Sequence, residues 1–177
     1  MRILLTSDLH LGIDERSAAA PGSARINTFR KICALATDHD IFMIAGDFFH
    51  DSGNAAAMDA VIGMATQELA SLGERGVTVL FSPGEYDRPL LQGAGRIPRH
   101  CFTHIFSGDD EAGYSITRGD ETVTVYGFPA EDRRGPRNMK RSGAAGFHMA
   151  LLHADFCNEN PAAGTEIMNL GKDDIRA

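Results

Sequence analysis

Asp8, His10, Asp47 and His153 are metal-ligating residue types, and all four lie at or just beyond the end of a short apolar run. Asp8-Leu9-His10 puts a carboxylate and an imidazole two residues apart, and on an extended strand end alternate side chains point the same way, so one cation can meet both. Asp47 follows Gly46, which permits close backbone approach, and the two oxygens of a carboxylate can bridge two cations. Each residue alone has an ordinary explanation. A strand-end Asp is commonly a helix cap or turn former, and a histidine in the position of His153 is commonly a satisfied residue at the core edge. The combination is more specific, because all four would share one edge of one sheet. Mixed oxygen and nitrogen donors suit manganese, iron or zinc better than magnesium or calcium, with manganese the first choice. Two such cations about 3.5–4 Å apart can polarise a phosphoester, activate water as the nucleophile and stabilise the leaving oxygen.

The elements needed to hold these residues can be read from periodicity. Arg2 to Ser7, Ile41 to Ala45 and Val77 to Phe81 are short apolar runs that read as buried strands. Between them, Ala24 to His39 and Ala55 to Arg75 repeat apolar residues at three- and four-residue steps, as amphipathic helices do, and Gly76 ends the second. Strands alternating with helices predict a parallel sheet buried on both faces, an α/β architecture. Asp8, Asp47 and the turn Gly84-Glu85-Tyr86-Asp87 then fall at the carboxyl ends of three strands, where open α/β sheets bind ligands. Beyond Pro89 the strands shorten: Thr103 to Phe106, Tyr114 to Thr117 and Thr122 to Tyr126, the last two joined as a hairpin through Arg118-Gly119-Asp120-Glu121. Phe147 to Leu152 reads as a further buried strand ending on His153. His50 lies three residues beyond Asp47 and can reach the same crevice; with Asp51 it reads first as a loop cap or as a residue that orients a ligand. His100, His104 and His148 belong to no ligand spacing and read as structural.

Composition narrows the setting. The chain has 177 residues, 43% of them hydrophobic and 23% charged, which suits one globular domain with a real core. Cys33, Cys101 and Cys157 are odd in number and widely spaced, and read as reduced structural thiols. No apolar run approaches the roughly 20 residues that cross a bilayer, and the N-terminus lacks a signal-peptide pattern. A cytoplasmic protein without membrane contact is therefore the expectation. A net charge of −7 argues against gripping nucleic acid through a broad basic surface. The exception is the run Arg133, Arg134, Arg137, Lys140 and Arg141, which reads as solvated loop or as a phosphate-backbone contact.

The ordered motifs Ser-Asp-Leu-His-Leu-Gly (7–12), Ala-Gly-Asp-Phe-Phe-His (45–50), Gly-Glu-Tyr-Asp (84–87) and Leu-Leu-His (151–153) resemble the calcineurin-like metallophosphoesterase superfamily. Within it the chain is most similar to SbcD-type DNA-repair exonucleases, through residues 46–50 and through Tyr126-Gly127-Phe128-Pro129-Ala130. The resemblance implies a layered β-sandwich flanked by helices, with Asp8 and His10 on one metal, Asp47 bridging and His153 on the second. Two departures stand beside it. The superfamily's third motif is Gly-Asn-His-Asp, with Asn a ligand and His acting at the phosphate or leaving group, and this chain has Glu85 and Tyr86 there. Glu85 can still ligate through oxygen, although its charge weakens the pull of the metals on phosphate. Tyr86 can donate a hydrogen bond but holds its proton more tightly than an imidazole. Asp47, Tyr86 and Asp87 are the catalytic candidates, Asp87 having a turn role as its alternative. The second departure is that no Gly-His-x-His follows His153, so the resemblance implies a single domain over residues 1–177 that lacks its C-terminal strands. The function implied is two-metal phosphoester hydrolysis of nuclease ancestry, with DNA as a substrate. The rivals are a phosphatase or phosphodiesterase on another substrate, and a catalytically impaired interaction module with a protein partner or a homodimeric state.

Overall fold

The computed structural model describes residues 1–13, 23–92, 95–107, 113–129, 145–153, 155–156 and 169–170. The basic run at 133–141, Cys157 and residues 171–177 lie outside the described residues.

Strands β1 (Ile3–Thr6), β2 (Ile41–Ala45), β3 (Thr78–Ser82) and β4 (His104–Ile105) form a parallel sheet in that order. Helix α1 (Ala24–Ala36) links β1 to β2, and α2 (Ala55–Glu74) links β2 to β3. Local chemistry fixes the helix starts, since the side chains of Ser23 and Asn54 accept the amides of Ile26 and Ala57, satisfying donors that a helix N-terminus leaves open. Helix α1 stops three residues before the expected His39. Thr37 already serves as its C-cap, and the Asp38 and His39 amides turn back onto the carbonyls of Leu35 and Ala36. The expected two-sided burial holds for β2 and β3, each buried at all five positions. It fails for β1, an edge strand whose Leu5 is 55% exposed.

Short α3 (Arg88–Leu91) and the 3-10 turn Arg99–Cys101 precede β4. The hairpin of β5 (Tyr114–Arg118) and β6 (Glu121–Phe128) forms as expected, and β7 (Phe147–Leu152) joins β6 in parallel, making a second sheet. A two-residue pair of strands, β8 (Asp155–Phe156) and β9 (Asn169–Leu170), lies apart from both. Strand β7 corrects two expectations. It belongs to the second sheet, so His153 does not share one sheet edge with Asp8 and Asp47. As the outer strand of that sheet among the described residues, it has only Leu151 buried, with Phe147 73% exposed.

Alternation along β2 builds two apolar layers. Phe42 and Ile44 face the helices and pack with Phe29, Cys33, Val61, Ala65 and Leu69. Ile41, Met43 and Ala45 face the second sheet and meet Val123, Val125 and Leu151. The chain is thus a sandwich of two sheets with helices on the outer face of the parallel one, the arrangement the resemblance implies. Cys33 and Cys101 are buried within it, and burial pushes their thiols up to about 12 and about 11, which keeps them protonated. Among the described residues no helix is long and apolar enough to cross a membrane.

Candidate metal centre

The loops after β1 and β2 are laced together by backbone. Asp8 N–H donates to Gly46 C=O at 3.1 Å, His10 N–H to Asp47 C=O at 2.9 Å, Leu11 N–H to Phe48 C=O at 2.9 Å, and His50 N–H returns to Leu11 C=O at 2.9 Å. The loop after β2 is tied to β3 by Gly46 N–H on Ser82 C=O at 2.8 Å. The expectation of an extended strand end at Asp8-Leu9-His10 is not met. Asp8, His10 and Asp47 have φ of 54°, 45° and 49°, and among the described residues these are the non-glycine positions with left-handed backbone. Left-handed backbone disfavours most side chains and collects where surrounding structure forces it, often at functional sites. Here two such kinks bracket Leu9, which stays buried while its neighbours turn toward Asp47.

As a result, Asp8, His10 and Asp47 each offer a ligand atom within 4.8 Å of the others. His10 and His153 approach the same oxygen, their Nε2 atoms lying 3.8 and 3.1 Å from Asp47 Oδ2. Donors around one cation stand roughly 3–3.5 Å apart when each bond is about 2.1 Å long, so this spacing is of the right size. Both imidazoles are oriented from behind. His153 Nδ1–H donates to Ala45 C=O at 3.2 Å, and His10 Nδ1 pairs with His50 Nδ1 at 3.2 Å, leaving each Nε2 toward Asp47. The other Asp47 oxygen, Oδ1, accepts the Tyr86 amide at 3.2 Å. Burial opposes the charge on Asp47, but the hydrogen bond and charge of His153 outweigh it and hold the carboxyl below its ordinary value. The same hydrogen bond raises His153 to about 9. The carboxylates thus favour positive charge at His153 Nε2, and a divalent cation satisfies that demand as a proton does. The donor set fits the group that the motifs imply.

Glycines make this proximity possible. A Cβ on Gly46, already at φ 72°, would lie 2.2 Å from Cγ and 2.4 Å from Nδ1 of His153. On Gly84 it would lie 2.2 Å from Asp47 Oδ1. We expect Gly46→Ala to push the His153 ring off its carbonyl and to weaken manganese binding by about tenfold or more, as loss of an orienting contact does. Titration of the variant with manganese, read by isothermal calorimetry, checks this; unchanged affinity would mean that His153 takes no part in binding.

The third motif forms the expected turn after β3, but Asp87 does more than shape it. Asp87 is wholly buried, and its carboxylate accepts the amides of Phe49 at 2.8 Å, Gly84 at 2.9 Å and Phe48 at 3.2 Å. Burial pushes it up to about 6 against the pull of those three bonds, so it is charged at neutral pH. It ties the β2 and β3 loops together from behind the ligands and faces no open site. Glu85 is partly exposed and stands outside the Asp8, His10, Asp47 group. Tyr86 lies at the surface, stacked on His50 with ring centroids 4.0 Å apart and edge-on to His10 at 5.3 Å. His50 therefore contacts both a candidate ligand and a candidate catalytic residue, which its loop position hinted at. Burial, and then the neighbouring His10, lower its pKa. Asp51 accepts the amide of Gly53 and pairs with Arg96 at 3.0 Å, which in turn holds Asp59 on α2. His104 stacks on Tyr114, and His148 meets the Tyr126 hydroxyl at 3.1 Å, both away from the ligand loops.

The family model for calcineurin-like phosphoesterases matches residues 1–156. No curated protein matches the chain. Among solved structures, the nuclease MPE of Pseudomonas putida is similar at 20% identity and a TM-score of 0.39, over 70% of this chain and 52% of that one. The chain thus spans about half the length of that nuclease.

Proposed function

This chain belongs to the calcineurin-like phosphoesterase family, and from that premise we propose that it hydrolyses phosphoester bonds with two divalent cations, in a nuclease-like manner. The observation that carries the reading is the convergence of Asp8, His10 and Asp47 on left-handed backbone. Asp8 and His10 would hold one cation, His153 the other, and Asp47 both, a mixed oxygen and nitrogen set that suits manganese, iron or zinc, with manganese proposed first. The cations would supply Lewis acidity to the phosphoryl group and a water of lowered pKa. The chain's own residues set the geometry: His50 and the Ala45 carbonyl fix the imidazoles, while Asp87 and the Tyr86 amide fix the loop that carries Asp47. Glu85, on the loop after β3 that carries Tyr86 and Asp87, would offer a further oxygen donor. The nuclease-like branch rests on the motifs at 46–50 and 126–130, and DNA is the substrate it points to.

The test is hydrolysis of bis(p-nitrophenyl) phosphate with manganese. Activity is expected in the native chain and should rise about tenfold or more in Glu85→Asn with Tyr86→His, which removes one negative charge and supplies an imidazole for proton transfer. Metal binding without hydrolysis in both proteins would reassign the fold to an interaction module with a protein partner.

A further inference from the structure

We propose that Tyr86 is a base-stacking platform, so that the site takes single-stranded nucleic acid with the nucleobase beside the scissile phosphate lying on the Tyr86 ring. The inference rests on the nuclease-like reading above and names a residue of this chain that would select the substrate. Tyr86 is 44% exposed on a loop whose Pro83, Gly84 and Asp87 are buried and whose Glu85 is partly exposed. A single exposed aromatic is ordinary; what distinguishes Tyr86 is that its ring is fixed. It stacks on His50 with an interplanar angle of 20°, meets His10 edge-on at 76°, and its amide is bound by Asp47 Oδ1. Both of its ring neighbours belong to the metal-binding loops, so the ring is ordered beside the reacting centre before any substrate arrives. Pre-ordering lowers the entropy cost of binding a flat partner.

A chain of net charge −7 is poorly equipped to hold a strand by its phosphates, so its affinity for a strand would have to come from the cations and from stacking. Stacking needs no positive charge and tolerates any base, because every base has a π-face. A tyrosine where an imidazole is expected thus exchanges a proton-transfer group for a larger flat surface.

The experiment measures affinity for a short oligothymidylate with phosphorothioate linkages, which resist hydrolysis, against an abasic strand of the same length and linkage, with manganese present. The native chain should prefer the strand with bases by about tenfold. Tyr86→Ala should bring that ratio to about one, and Tyr86→Phe, which keeps the ring, should preserve it. Equal binding of both strands by the native chain, a preference that survives Tyr86→Ala, or its loss in Tyr86→Phe would each overturn the proposal. Bis(p-nitrophenyl) phosphate hydrolysis, run alongside, keeps the two readings apart. Hydrolysis with equal binding overturns the platform alone, whereas a base preference without hydrolysis supports the platform and overturns the catalytic reading.

Discussion

Manganese is expected to raise the melting temperature of this protein by roughly 5–10 °C, and Asp47→Ala is expected to abolish the rise. A ligand that binds only the folded state stabilises it by about 2.7 kcal/mol at one hundred times its Kd, and for a chain of this length each kcal/mol moves the melting temperature by roughly 2–4 °C. Asp47 is the residue through which the effect must pass, since His10 and His153 both approach its Oδ2. Alanine also suits the left-handed backbone at position 47 poorly, so Asp47→Asn is the companion variant. Asparagine tolerates that conformation and keeps an acceptor for the Tyr86 amide while removing the charge. Both variants should melt alike with and without manganese. A native melting curve unchanged by millimolar manganese would sink the metal centre.

Asp87→Ala should lower stability by about 3–5 kcal/mol and the melting temperature by roughly 10 °C or more, although residue 87 is not one of the candidate ligands. Its carboxylate holds three buried amides, on Phe48, Phe49 and Gly84, and alanine would leave all three without a partner. The loss should reach the site as well, because Phe48 adjoins Asp47 and Gly84 packs against it. The manganese-induced rise should therefore shrink in this variant. Asp87→Asn, which keeps an acceptor oxygen but points an NH2 at an amide donor, should fall between. Thermal melts with and without manganese decide the matter, and an Asp87→Ala protein melting within about 2 °C of the native one would show that water replaces the carboxylate at little cost.

The strands that carry the site were legible because each is a short apolar run that stops at a polar residue: Ile3–Thr6 before Asp8, Ile41–Ala45 before Asp47, and Phe147–Leu152 before His153. The parallel order and the hairpin followed from the same periodicity. The path of the backbone through the ligands was not legible. Alternation suggested an extended Asp8-Leu9-His10, and nothing in that tripeptide announces two left-handed residues, which are imposed by hydrogen bonds to a loop some forty residues away. Asp87 was hidden for a related reason, since a carboxylate at a turn looks the same whether it faces solvent or three amides. The exposure of Phe147 could not be read either, because an apolar strand looks the same at the edge of a sheet as at its centre.

The left-handed backbone at Asp8, His10 and Asp47 also shapes how this protein would respond to engineering for thermostability. Glycine at any of these positions would relieve conformational strain and remove a ligand, while asparagine would tolerate the conformation and leave at most a neutral oxygen donor in place of the carboxylate or imidazole. Variants selected for heat resistance in the presence of chelator would thus be drawn toward losing the centre, one position at a time, and would look improved by every measure except the chemistry. Selection with manganese present reverses that pull, because the cation then rewards the same three conformations that cost the empty protein stability.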